Sequence, residues 1–171
     1  LLETMAEFSV QKSGDAGEAD TARARHAKHF AASATAVAGR RGDELRNNRN
    51  FALLDPQHDN LRAAFEWLCA HDRAQAFVLA DCLAIYWRIR GHLAEARDRL
   101  NKLIDGGRDG VGDRERAQLL TASCGIYFEL RDVERLKRIV EEAVPLWTAL
   151  DDPAEIGLAT SWQGNIAWME G

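Results

Sequence analysis

The sequence predicts an all-α solenoid of stacked antiparallel helix hairpins, and three observations carry that prediction. Ala84, Gly125 and Gly164 recur at offsets of 41 and 39 residues, each followed three positions later by a further packing residue (Trp87, Phe128, Ala167) and then by a turn landmark (Gly91, Asp132, Gly171). Beyond the turn, Leu93, Ala96, Leu100, Leu103 and Ile104 map onto Val133, Leu136, Val140, Ala143 and Val144 at an offset of 40. No stretch alternates apolar and polar residues long enough to make a strand. A period near forty residues with helical spacing is that of a helix-pair repeat, which buries its apolar faces only by stacking on its neighbours.

The elements follow in order. Leu1–Gln11 reads as a helix that ends in the turn-rich run Lys12–Gly17. A second helix is predicted over Glu18–Ala38, with Ala27, Phe30, Ala34 and Val37 on one stripe and Gly39 as its stop. Arg40-Arg41-Gly42 leads into a shorter helix over Asp43–Leu54, and Asp55-Pro56 marks the next boundary. The helix beginning there and running to Ala70 places Leu61, Ala64, Phe65 and Leu68 on one face. Arg73–Arg90 is apolar on two faces, Phe77, Ala80, Ala84 and Trp87 on one and Leu79, Leu83 and Tyr86 on the other, so it is expected between two neighbours. Its partner is His92–Asp105. After the loop Gly106–Gly112 come Asp113–Leu130 and Val133–Leu150, the latter kinked where Pro145 removes a backbone donor. A last helix opens at Asp152-Pro153, with Asp152 as cap and Leu158, Trp162, Ile166 and Met169 along one side.

Composition narrows the function. The hydrophobic fraction of 46% and charged fraction of 29% allow 171 residues to bury a core. The net charge of −5 lacks the basic balance of a nucleic-acid binder. No apolar run is long enough to cross a bilayer and no leader pattern is present, which predicts a cytoplasmic location. Cys69, Cys82 and Cys124 are too widely spaced for a metal or redox pair and fall in apolar helical patterns, as core thiols do. A start at Leu1 and a stop at Gly171, inside a repeat unit, predict a piece of a longer protein.

Candidate chemical motifs resolve to structural readings. The glycine-rich loop at 106–112 lacks the lysine and hydroxyl of a phosphate loop and joins two helices. His26 and His29 share a helix face without a third ligand in register. His58-Asp59-Asn60 stands where Asp and Asn cap a helix. Arg40, Arg41, Arg46 and Arg49, like Arg88 and Arg90, lie among acidic residues and read as a solvated face. No catalytic residue, cofactor site or metal site is nominated, and the chain is expected not to be an enzyme.

Several segments nevertheless resemble one family. Leu1-Leu2-Glu3-Thr4-Met5-Ala6-Glu7-Phe8 is similar to the helix closing the winged-helix segment of large bacterial NB-ARC/STAND-type signal-transduction ATPases. His26-Ala27-Lys28-His29-Phe30 resembles the element that follows it. His58-Asp59-Asn60-Leu61-Arg62-Ala63-Ala64-Phe65-Glu66-Trp67 resembles the family's HDNLRAALxW helix, and Trp87-Arg88-Ile89-Arg90-Gly91-His92 its W-x-x-RGH turn. The resemblance implies a right-handed superhelical solenoid of tetratricopeptide-like repeats in a transcriptional regulator, often joined to a LuxR-type or adenylate-cyclase output domain. It divides the chain into residues 1–13 (end of a winged-helix segment), 18–70 (a helical adaptor) and 73–171 (repeats at about 73–106, 113–150 and a truncated 153–171). Leu136 in place of a repeat alanine, Pro145 and the long period depart from the pattern. No Walker or helix-turn-helix motif is present, so ATPase and DNA-binding activities do not carry over.

By the same resemblance the first helix of each pair lines a concave groove. Counting from the small residues assigns to it Asp81, Ile85 and Arg88, then Ala122, Ile126 and Glu129, then Ser161, Asn165 and Trp168. The implied role is a sensor or scaffold whose partner is a protein, either the regulator's own ATPase module or a separate regulatory partner. A small-molecule inducer held near Tyr86, Trp87 and Trp168 is the alternative. No cofactor, no direct nucleic-acid contact and no membrane contact are expected of this chain.

Overall fold

The computed structural model describes residues 16–37 and 50–171. The expected helix over Leu1–Gln11, the stop at Gly39, the arginines at 40–49 and the helix predicted from Asp43, except for its end, lie outside those residues. The described residues form seven α-helices and one 3-10 turn, with no strand. They are α1 (Ala16–Val37), the 3-10 turn Asp55–Gln57, α2 (His58–His71), α3 (Arg73–Arg90), α4 (Leu93–Asp105), α5 (Asp113–Glu129), α6 (Val133–Ala149) and α7 (Pro153–Glu170). Several helix ends differ from expectation by a single residue, and two boundaries differ by more: α1 includes Ala16, inside the predicted turn, and Pro56 belongs to the 3-10 turn that precedes α2.

Periodicity placed the core well. Leu61, Ala64, Phe65 and Leu68 are all buried, as are both apolar faces of α3. Ala27 and Ala34 of α1 are buried, with Phe30 and Val37 packed against the same core. Helix α3 packs on α1, α2, α4 and α5, which explains its two apolar faces. Helix α5 packs on α3 and α6 and buries ten of its residues, Gly125 and Ile126 among them. The pattern changes at α7, which leans on α6 and touches α5 only slightly. Leu158 therefore departs from its predicted stripe and is 39% exposed.

Three tight turns share one construction. In each, a residue with positive φ follows the helix: Gly91 at 75°, Arg131 at 57° and Asp151 at 49°. The next amide reaches back five residues, from His92 to Trp87, Asp132 to Tyr127 and Asp152 to Trp147, which closes the helix end. The repeat slips by one before the turn, so Arg131, and not Asp132, matches Gly91. Asp132 instead caps α6 by accepting from the Arg135 amide, and Asp72 and Asp152 cap α3 and α7 likewise. Pro145 does not end α6, which runs through it as one element.

The C-terminal end of α4 is held by arginines from three other helices. Arg73 of α3 donates to the carbonyls of Leu103 and Gly107. Arg116 of α5, 6% exposed, donates to the Ile104 carbonyl at 3.0 Å and pairs with Glu142 of α6 through two bonds of 2.5 and 3.0 Å. Arg135 of α6 reaches Asp105 at 2.8 Å. The glycine-rich loop serves this arrangement: a Cβ at Gly106 would stand 2.7 Å from the Arg73 guanidinium and 2.9 Å from the Lys102 carbonyl. Gly107 and Gly110 take positive φ, at 102° and 70°. Removing Glu142 leaves a buried guanidinium half-satisfied, so Glu142→Ala should cost about 2–4 kcal/mol. Arg116→Met, which removes the buried charge itself, should cost less. Urea unfolding of both variants measures the difference.

Candidate functional site

The predicted groove residues scatter over several environments. Arg88 lies across Gly125, where an added Cβ would stand 2.9 Å from its Cδ, and its guanidinium meets Glu129 at 3.4 Å. Gly125 is thus a close contact between α3 and α5, the alternate helices. Asp81, Ile85 and Ala122 are half-buried, Ile85 and Ala122 against the core. Ile126 has no exposed surface and belongs to the core, which removes it from any groove. Ser161 and Asn165 bond locally, to the carbonyls of Leu158 and Ser161. Trp168 is 66% exposed beside Phe128, at 6.2 Å between ring centroids, with the Arg131 guanidinium 5.3 Å from its ring. Tyr86 and Trp87, expected near an inducer, are each 1% exposed and sit in the core.

Gly164 departs from the repeat: nothing lies within 4 Å of a Cβ built there, because α7 has moved off α5. The two glycines therefore respond oppositely to substitution. Gly125→Leu should destabilise by about 1–3 kcal/mol through overpacking against Arg88. Gly164→Ala should stabilise by up to about 1 kcal/mol through helix propensity alone. Thermal melts of the two variants check the pair.

A second constellation was missed by the sequence reading, although both motifs that build it were singled out. The first turn of α2 and the turn between α3 and α4 meet, so His58 stacks on His92 with centroids 4.5 Å apart and planes at 21°. His58 Nε2 lies 3.6 Å from Glu95 Oε2, while Glu95 Oε1 accepts from Arg99 at 2.9 Å and forms an ion pair with Arg62 Nε at 2.9 Å. The Tyr86 hydroxyl is 3.3 Å from His58 Nδ1. Arg90 grips Asp55 with two bonds, of 2.7 and 3.0 Å. His26 on α1 meets Asn60 at 3.2 Å. Asp59 and Asn60 thus do not cap α2: its N-cap is Gln57, which makes no side-chain bond, while Asp59 faces Arg62. The missing signal was tertiary, since His58 and His92 are 34 residues apart and nothing local pairs them.

Burial, and next the Asp55 carboxylate, push the Tyr86 phenol from 10 up to about 12. A group whose folded value is raised contributes stability that is complete below its unfolded value and is lost as pH rises through the folded one. The window here runs from about pH 10 to about pH 12. Alkaline denaturation should therefore steepen across that window, and Tyr86→Phe should remove part of the slope, as followed by circular dichroism. Burial likewise pushes the Cys69 thiol up, which disfavours the reactive thiolate. Cys69 and Cys82 are half-buried and Cys124 is buried.

Every regular element among the described residues is helical, and many of their charged side chains join helix to helix. No helix among the described residues is long and apolar enough to cross a membrane. Over 109 residues, 63% of the chain, the sequence is 34% identical to proteins named "Putative HTH-type transcriptional regulator" in Mycobacterium tuberculosis and Mycobacterium bovis. The matched stretch is 12% of the length of those relatives. No family model matches the chain, and no solved structure matches it.

Proposed function

We propose that this chain is the sensor and scaffold solenoid of a transcriptional regulator of the signal-transduction ATPase type, built of tetratricopeptide-like hairpins in a right-handed superhelix. It makes protein contacts, either with the regulator's own ATPase module or with a separate partner, and does no chemistry of its own. The observation that carries the reading is the packing of alternate helices, α1 on α3 and α3 on α5, bridged on one face by Arg88, Gly125 and Glu129. Such stacking builds extended surfaces for recognition. Similarity to proteins named as transcriptional regulators supports the regulatory setting. Direct contact with nucleic acid is not part of the proposed role. The arginines of α3 to α6 are engaged with carboxylates and helix-end carbonyls, as in Arg90–Asp55, Arg99–Glu66, Arg114–Asp152 and Arg116–Glu142.

The exposed end of this surface is Trp168, an aromatic of the kind that anchors interfaces. In the intact regulator, Trp168→Ala and Arg88→Ala should weaken the partner interaction or the regulatory response at least about fivefold, the effect of a 1 kcal/mol contact. For Trp168→Ala, whose side chain is largely exposed, the melting temperature should stay within about 2 °C of wild type, as for surface substitutions. Lost stability with an unchanged response would assign both residues to structure. One observation favours the alternative role of inducer sensor: an open groove of about 690 Å³ among α1, α2 and α3, lined by Ala31, Ala36, Leu68 and Val78 with Lys28 and Gln75 at hand. Its size and mixed lining suit a small amphipathic molecule. Saturable heat on titrating the regulator with metabolites, abolished by Val78→Trp, would select that role.

A further inference from the structure

We propose that His58, His92 and Glu95 form a binding site for a transition-metal ion of the zinc class, which would join the first turn of α2 to the turn between α3 and α4. One ligand atom from each residue lies within 4.8 Å of the other two, and all three residues are half-buried. The surrounding bonds leave two of those atoms free. Arg62 and Arg99 both pair with Glu95 through Oε1, and Oε2 is the oxygen facing His58 Nε2. On the other side of the imidazole, the Tyr86 hydroxyl lies 3.3 Å from His58 Nδ1. In the tautomer whose Nδ1–H donates to the Tyr86 oxygen, the His58 lone pair sits on Nε2, toward Glu95. A ligating histidine whose other nitrogen is held by a hydrogen-bonded relay is the usual construction of a protein metal site.

His92 and Glu95 stand i and i+3 at the start of α4, one above the other on the helix surface. Tetrahedral coordination with bonds of about 2.0 Å needs ligand atoms roughly 3.3 Å apart. Closing the set therefore requires His92 to turn out of its stack on His58, a rotation available to a half-exposed ring at a turn. Two imidazole nitrogens and one carboxylate oxygen suit zinc, nickel or copper better than magnesium or calcium, and three protein ligands leave a position for water. Arg62 and Arg99 oppose the ion's charge, but they also hold the carboxylate in place.

The test uses the chelator-treated 171-residue chain, titrated with Zn²⁺ by calorimetry and with Co²⁺ as the spectroscopic probe. Expected are one ion per chain and visible cobalt bands of a nitrogen and oxygen site without a thiolate charge-transfer band. His92→Ala and Glu95→Gln should each weaken binding more than tenfold, and Tyr86→Phe by about tenfold. Circular dichroism checks folding of each variant, and if His92→Ala does not fold, Glu95→Gln alone decides. Absence of saturable binding at millimolar Zn²⁺, a thiolate band pointing to the cysteines, or wild-type affinity in Glu95→Gln would each overturn the site.

Discussion

The C-terminal end of α4 is the constraint on which the rest of the structure depends. The last carbonyls of a helix have no partner within it and carry the negative end of its dipole. Here they face guanidinium groups from α3 and α5, and Asp105 at the same end receives Arg135 of α6. The hydroxyl of Tyr127 on α5 adds a bond of 2.8 Å to Asn101 of α4. One helix end thus sets the relation of three other helices. Its polar groups are satisfied by residues that the core would otherwise exclude, which is why Arg116 and Arg135 can be buried at all.

Around that point the apolar packing is repetitive but not uniform. Helix α5 lies close on α3 because Gly125 lets Arg88 cross its backbone, and Trp147 of α6 ties in through its indole bond of 2.9 Å to Thr121. Helix α7 enters through a turn of the same construction and then packs on α6, leaving Gly157 and Gly164 open and Trp168 largely exposed. The turn chemistry specifies how a helix starts, whereas the face it presents depends on the side chains available to receive it. A surface of small residues next to a large exposed aromatic is more consistent with recognition than with a finished core.

The junction of α2, α3 and α4 links two of the segments that carry the family resemblance. Asp55, His58, Arg62, Tyr86, Arg90, His92 and Glu95 form one network of polar side chains there. Networks of this kind hold an angle between elements more firmly than apolar contact does, because each bond has a direction. An ion held there, as proposed, would stiffen the joint further.

Much of this was legible in the sequence, for physical reasons that can be named. Helix α3 was placed to the residue, since its two apolar stripes and the flanking Asp72 and Gly91 are local signals of burial and ending. The aspartate before α7 was readable as a cap because a side-chain oxygen near a free amide acts within three residues. The groove was not readable. Ile126 and Trp168 were both assigned to it from their repeat positions, yet one is fully buried and the other 66% exposed. Nor could the chain announce that His58 meets His92 or that Arg116 meets Glu142. Sequence by itself determined the helices, their ends and their apolar faces, because those follow from backbone bonding and burial over a few residues. Only the tertiary structure decided which faces meet and which charges pair, because those depend on where distant helices come to rest against one another.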